Sequence, residues 1–326
     1  MAMKLDVVCF GEILWDIFEA SPRGSEPIAR TFRRELGGAP ANVATGLARL
    51  GVRAAVVGGV GGDLFGDALL AHLRGDGVDV RFVVKLPNRT GLAFVTPGAR
   101  GEPSFLFYRH ESADVSVRAE HLTPAMGRAR WVLVGTSTLM TRDLARATAR
   151  FLESADRAGA HVLVDLNVRP HLWSNRRAMQ RAIAGLAERA DLVKASDADL
   201  RAVSGTASPS WLERHARHAS WLITRGPGVA SAIGVHGEVH APALPARCAD
   251  ATGGGDAFIA GSLATLVAAG ASPGTGAWCD AAVWRAALRA GHVMGKKAVS
   301  RRGAVAGLRG LGRARALIDE VRRSAP

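Results

Sequence analysis

The sequence predicts an α/β fold: a doubly wound, mostly parallel sheet flanked by helices, with a small second sheet beside it. Three observations carry this. Short β-branched runs bounded by glycines recur along the chain, stretches of helical period separate them, and two segments alternate apolar and polar residues between turns. Leu5 to Phe10, Ala54 to Val60, Trp131 to Gly135, His161 to Asn167, Asp191 to Lys194 and Trp221 to Thr224 are the expected central strands. Their near-continuous apolar character fits strands buried on both faces. Between them, Ala41 to Leu50, Leu64 to Arg74, Arg142 to Ala158 and Arg176 to Arg189 repeat apolar residues every three or four positions, as helices packed on a sheet require. Residues 12–36 and 88–110 break this rhythm with Leu92-Ala93-Phe94-Val95 and Ser104-Phe105-Leu106-Phe107-Tyr108, which predict the projecting antiparallel sheet. Helices are expected again at Ala257 to Ala269, Ala277 to Lys297 and Arg313 to Arg323. No repeat or long linker divides the chain, so residues 1–326 are read as a single domain.

Composition narrows the function classes. At 326 residues and 48% hydrophobic content, the chain can bury about 75% of its unfolded surface and needs no disulfide or structural metal. Cys9, Cys248 and Cys279 are odd in number and lack C-x-x-C spacing, which fits reduced thiols and a cytoplasmic location. Val7 to Phe10 is too short for the apolar core of a signal peptide, and no run of about 18 apolar residues exists to span a membrane. The net charge of +13 invites a nucleic-acid reading. That reading is set aside, because the excess is nearly all arginine dispersed along an alanine-rich chain, with lysine only at 4, 85, 194, 296 and 297.

The most informative stretch is Asp250-Ala251-Thr252-Gly253-Gly254-Gly255-Asp256-Ala257-Phe258, followed at once by an apolar helical pattern. Glycines at a helix start leave N–H groups unshielded, and the helix dipole adds about half a positive charge there, so the segment suits an anion. A phosphoryl group whose charge grows in the transition state is such an anion. Asp256 falls in the first turn, where a carboxylate can take a proton from an attacking hydroxyl. The same residue also reads as an ordinary helix cap. Neither G-x-x-x-x-G-K-[ST] nor an intact G-x-G-x-x-G occurs, since Leu64 stands where the last glycine after Gly58-Gly59-Val60-Gly61-Gly62 belongs. The protein-kinase motifs are absent as well.

Together with Gly37-Gly38-Ala39-Pro40-Ala41-Asn42-Val43-Ala44, roughly 210 residues upstream, this segment resembles the two signatures of the ribokinase-like (PfkB) carbohydrate kinases, and within them the fructokinases. Gly11-Glu12-Ile13-Leu14-Trp15-Asp16, Gly58 to Asp67, Phe107-Tyr108-Arg109 with Ser112-Ala113-Asp114, and Asp165-Leu166-Asn167-Val168-Arg169 with Leu172-Trp173 extend the resemblance over about residues 5–305. The resemblance implies the ribokinase-like fold, with the small sheet as a lid over the sugar. It also implies an ATP- and Mg²⁺-dependent kinase acting on a primary hydroxyl of a ketohexose, with fructose favoured. Alternatives are a kinase for 2-keto-3-deoxygluconate or another sugar or nucleoside, and, from a different class, a non-catalytic sugar-binding or nucleic-acid-binding relative.

Roles follow from the resemblance residue by residue. Asp256 would be the catalytic base, with Gly253, Gly254 and Gly255 as the anion hole. Asp16, Gly38 and Asn42 would hold sugar hydroxyls, a carboxylate accepting and an amide both donating and accepting. Tyr108 and Arg109 are expected on a lid strand within reach of the ligand, and Arg169 against substrate or phosphate. Lys194, Thr224, Gly226 and Gly228 are expected at the nucleotide. Ser196 and Asp199 stand where relatives often carry Asn and Glu of an N-x-x-E motif that organises Mg²⁺ through water, and Asp199 is one methylene shorter than that Glu. Gly254 replaces a common Ala and keeps its N–H. Asp250 and Thr252 match a monovalent-cation site, so K⁺ dependence is expected. The implied partners are a small-molecule sugar and, through the lid, a second copy of the chain; nucleic acid and membrane are not expected.

Overall fold

In the computed structural model, residues 5–20, 28–97 and 103–324 are described. The chain begins with β1 (Leu5–Phe10), then β2 (Leu14–Glu19) and β3 (Phe32–Gly37), followed by α1 (Ala39–Arg49), β4 (Ala54–Gly61), α2 (Leu64–Gly75) and β5 (Asp79–Leu86). Next come β6 (Leu92–Pro97), β7 (Pro103–Tyr108), β8 (Ala129–Gly135), α3 (Arg142–Ala158), β9 (His161–Asp165), α4 (Arg176–Ala187), β10 (Leu192–Ser196), α5 (Asp197–Ser204) and α6 (Ser210–His215). The last part holds β11 (Ser220–Thr224), β12 (Ala230–Gly234), β13 (Gly237–Ala241), α7 (Gly254–Ala268), α8 (Ala281–Ala298) and α9 (Gly312–Ser324).

The main sheet runs β13-β12-β11-β10-β9-β8-β1-β4-β5, and all its pairings are parallel except those of β11 with β12 and β12 with β13. Period-two alternation decides what each face of this sheet covers. Val7, Cys9, Leu133, Leu163, Leu192 and Leu222 face the core built with α1, α7 and α8, while Val8, Phe10, Val132, Val134, Val164 and Val193 face the core built with α3 and α4. The chain leaves β1 toward β4 and β5, then returns to β8 on the other side. That reversal of winding opens a crevice at the carboxyl ends of the strands, where ligands of such sheets bind.

The smaller sheet has the order β3-β2-β6-β7 and is built from the expected segments 12–36 and 88–110, but it is mixed and not antiparallel: β2 with β3 and β6 with β7 are antiparallel hairpin pairs, whereas β2 and β6, which join the two hairpins, run parallel. Residues 21–27 and 98–102 of those expected segments lie outside the described residues. Three further sequence expectations need correction. Leu166 and Asn167 are not part of β9, since Asn167 turns out with φ 32°. Ala277 to Lys297 is not one helix: a 3₁₀ turn covers Gly276–Cys279, and α8 starts afresh where Asp280 caps it by accepting from the Ala282 N–H at 2.7 Å. The helix expected from Ala257 starts three residues earlier, so Gly254 and Gly255 are its first turn. Among the described residues no helix is long and apolar enough to cross a membrane.

Candidate active site

The glycine run and Asp256 form the hinge of the site. Gly253 precedes α7 with φ 73°, and a Cβ there would collide with Ala304, so both the backbone angle and the space require glycine. The chain then enters a helix buried on nearly every side, with Asp256 to Leu266 continuously buried. A helix so enclosed cannot shift its first turn easily, which fixes the free N–H groups in space.

Two cavities meet at that turn. One, of about 200 Å³, is lined by Glu12, Asp16, Gly38, Asn42, Arg109 and Arg169 among others, and reaches Gly253, Gly255 and Asp256. The other, of about 730 Å³, is lined mostly by apolar groups, including Leu244, Pro245, Phe258 and Val299, with Thr224 and Gly226 at one side. Ala251 and Gly255 line both.

Asp256 is 9% exposed, and its Oδ2 accepts from Asn42 Nδ2 at 2.8 Å. Burial, followed by the charge of Asp165, pushes its carboxyl up to about 7, while the Asn42 bond, Lys194 and Arg169 pull the other way. Asn42 comes from the first turns of α1, which Pro40 opens. Its Oδ1 is buried without a partner, which leaves an acceptor that a hydroxyl could satisfy. Gly38 caps the same helix with φ 95°, and a Cβ there would strike the Glu12 carbonyl. Asp16 enters from β2 of the smaller sheet, and burial, then the charges of Asp256, Asp250 and Glu12, hold its carboxyl well above the usual range.

Lys194 stands in the middle of β10, buried, with Nζ 3.3 Å from Asp165 Oδ1 and 4.0 Å from Asp199 Oδ2. Burial opposes its charge, but Asp165, Asp199 and Asp256 outweigh that and raise its pKa. A Cβ built on Gly255 would lie 3.2 Å from Nζ, which puts the ammonium beside the anion-binding turn. Lys194 therefore lines the polar cavity and not the apolar one where Thr224 and Gly226 lie. Gly228 lines neither; its N–H closes a turn onto the Arg225 carbonyl at 2.9 Å.

Arg169 lines the polar cavity, and its Nη1 donates to the Val168 carbonyl at 3.2 Å and the Asn167 carbonyl at 3.5 Å. Arg109 also lines it, but is held from behind by Asp114. Tyr108 is not brought to the cavity. It is 60% exposed on the opposite face of β7, against Phe94, because strand alternation sends Phe105 and Phe107 inward instead.

Ser196 and Asp199 are engaged with each other and with backbone N–H groups. Ser196 caps α5, and Asp199 Oδ2 accepts from both the Ser196 N–H and Oγ at 2.7 Å, while Oδ1 accepts from the Val168 N–H at 2.7 Å. This reciprocal cap ties α5 to the loop carrying Arg169. Asp250 is similarly engaged: Oδ1 accepts from Thr252 N–H and Oγ1 at 2.9 and 2.7 Å, and Oδ2 from Gly303 N–H at 2.9 Å. Among the described residues no group of three or more His, Cys, Asp or Glu is placed to hold a metal ion.

Sequence reasoning assigned no role to Glu12, Ser137 or His292. Glu12 accepts from the Ala39 N–H at 3.3 Å with one oxygen and from Ser137 Oγ at 2.6 Å with the other, bracing the start of α1 against the 3₁₀ turn Thr136–Leu139 that follows β8. His292 lines the apolar cavity with Nε2 on the Ala241 carbonyl at 3.0 Å, and burial lowers its pKa despite that bond. The bond to a carbonyl fixes the proton on Nε2 and leaves Nδ1 as an acceptor. Glu12 lies inside a quoted motif; His292 carries no sequence signal beyond helical position.

A buried carboxyl that lines a polar cavity beside an apolar one, at the N-terminus of a buried helix, has clear parallels. The family model "pfkB family carbohydrate kinase" matches residues 4–309. Fructokinase-1 of Zea mays is 38% identical over 272 residues, 80% of this chain and 83% of that protein. A fructokinase of Klebsiella pneumoniae is 35% identical over 241 residues, covering 72% and 78%. The crystal structure of a fructokinase with bound ATP from Xylella fastidiosa superposes with a TM-score of 0.85 at 32% identity, covering 98% of this chain and 99% of that one. The chain belongs to the pfkB family of carbohydrate kinases.

Proposed function

We propose that this protein transfers the γ-phosphoryl group of ATP to a primary hydroxyl of a ketohexose, and that the ketohexose is fructose. The observation that carries the reading is the position of Asp256, a carboxyl raised to about 7, where the two cavities meet at the first turn of α7. The relatives named fructokinase, one of them with bound ATP, support the substrates.

In this reading the sugar lies in the polar cavity, held by Asp16, Asn42 and Arg109, and the nucleotide base in the apolar one. Asp256 takes the hydroxyl proton as the sugar oxygen bonds to phosphorus and the bond to the departing ADP breaks. The N–H group of Gly255, with Lys194 and Arg169, offsets the charge on the transferring group, while that of Gly254 already donates to the Ala251 carbonyl at 3.3 Å. Mg²⁺ enters as part of the nucleotide substrate, where it neutralises phosphate charge. Asp199 suits contact with its water shell and not direct coordination, because three donors already occupy its oxygens. For K⁺, Asp250 and Thr252 would supply charge and carbonyl oxygens beside the glycine turn.

The exposed apolar groups Phe32, Leu106 and Tyr108 on the outer lid support a homodimer through the lid, which light scattering checks. The free thiols of Cys9, Cys248 and Cys279 support a cytoplasmic setting, and nucleic acid has no part in this reading. The test of function is ADP release from MgATP, with and without K⁺, across fructose, 2-keto-3-deoxygluconate, ribose, glucose and adenosine. High kcat/KM for fructose alone supports the reading; the same for another sugar corrects it.

A further inference from the structure

Phosphoryl transfer does not explain the ion pair behind the sugar cavity. Arg109 lines that cavity, whereas Asp114 stands behind it, 1% exposed. Nε and Nη2 of Arg109 both converge on Asp114 Oδ2, at 2.7 and 2.6 Å. Ser112 Oγ donates to the other oxygen at 2.5 Å, so each oxygen of Asp114 is committed. Gly91 packs so closely that a Cβ there would collide with Asp114 Oδ1. The pair is rigid, dry and charge-matched.

This matters for what the cavity accepts. A guanidinium free in a sugar pocket grips a carboxylate with two parallel N–H bonds. Arg109 has lost one edge of its fork to Asp114, and its charge is already balanced; Glu12 and Asp16 are the other acids whose fields act on it. What remains is a set of N–H donors suited to hydroxyl or carbonyl oxygens. Arg169, which makes no salt bridge among the described residues, faces Asp165 and Asp256 and so serves the end where phosphate arrives. We propose that Asp114, acting through Arg109 as a positioning residue, sets the sugar site to accept neutral sugars and to reject sugar acids. The proposal rests on the sugar-kinase reading, and concerns which class of sugar that site takes.

The experiment measures kcat/KM for fructose and for 2-keto-3-deoxygluconate, a six-carbon sugar acid, in the full chain and in Asp114→Asn, which removes the charge and keeps the shape. The acid-to-neutral ratio is expected to rise about tenfold or more, mainly through KM for the acid, and Arg109→Gln added to Asp114→Asn should erase the gain. An equal loss for both sugars would show a merely structural role and overturn the proposal. A measurement free of any folding defect uses the unmodified protein: the acid should compete with the neutral sugar about 100-fold more weakly than that sugar's own KM. Comparable competition, or turnover of the acid as the preferred substrate, would overturn the proposal while leaving the kinase assignment intact. Turnover of a different neutral sugar would instead correct the fructose reading, and the ratio is then taken against that sugar.

Discussion

The two cavities that meet at the first turn of α7 are made of opposite materials. The cavity proposed for the sugar is small and lined by Glu12, Asp16, Asn42, Arg109, Arg169 and Asp256, whereas the one proposed for the nucleotide is larger and lined by Leu244, Pro245, Phe258 and Val299. A sugar offers hydroxyls in fixed directions, so its selection needs placed donors and acceptors whose loss is costly. A base offers a flat apolar face, and a slot of side chains suffices to hold it. The contrast implies that substitutions on the sugar side alter turnover and specificity, while those on the nucleotide side alter affinity by modest factors.

The sharpest way to break this division is Asp256→Asn. We expect kcat to fall by about 10³-fold or more with the fructose KM within a few-fold of the parent value. The same variant should be the more stable protein at alkaline pH. Because burial pushes the folded carboxyl up to about 7 from an ordinary value of 3.8, its ionisation destabilises the fold: its stability contribution is whole below pH 3.8 and is lost as pH rises through 7. Melting at about pH 8 should therefore favour Asp256→Asn by a few degrees, and the difference should vanish toward pH 4.

The glycines separate next. Gly253→Ala meets both a positive φ and the backbone of Ala304, and should lower kcat by about 10²-fold or prevent folding. Gly255→Ala meets only the mobile end of Lys194, so a loss of about tenfold is expected, read in the same assay. On the nucleotide side, His292→Leu removes an acceptor and should raise the KM for ATP about fivefold without moving the fructose KM. Tyr108→Ala, on the outer face of the lid, should leave kcat/KM for fructose within about twofold.

What was legible in the sequence follows the same logic of burial. β1, β8, β9, β10 and β11 lie between other strands and are buried on both faces, so their apolar runs stand out. β5 and the β12–β13 pair sit at the two edges, where Asp79, Arg81 and Lys85 or Glu238 and His240 interrupt the pattern, and no run announced them. In the site, Asp256 and its glycines were readable because an anion-binding helix start constrains several adjacent residues at once. Tyr108 was misplaced by one strand position, since a run such as Ser104-Phe105-Leu106-Phe107-Tyr108 does not say which face turns inward. The bonds that Asp199 and Asp250 make to backbone N–H groups were not legible, because the Val168 and Gly303 N–H groups they accept from are distant in sequence.

The central claim is that Asp256 is the base at the junction, held near neutrality by burial. Its most direct test is the pH dependence of kcat/KM for fructose phosphorylation at saturating MgATP, from about pH 5.5 to 8.5. The account requires a rise governed by one ionisation near 7, absent from the residual activity of Asp256→Asn. A flat profile across that range, or the same rise surviving in the variant, would contradict it.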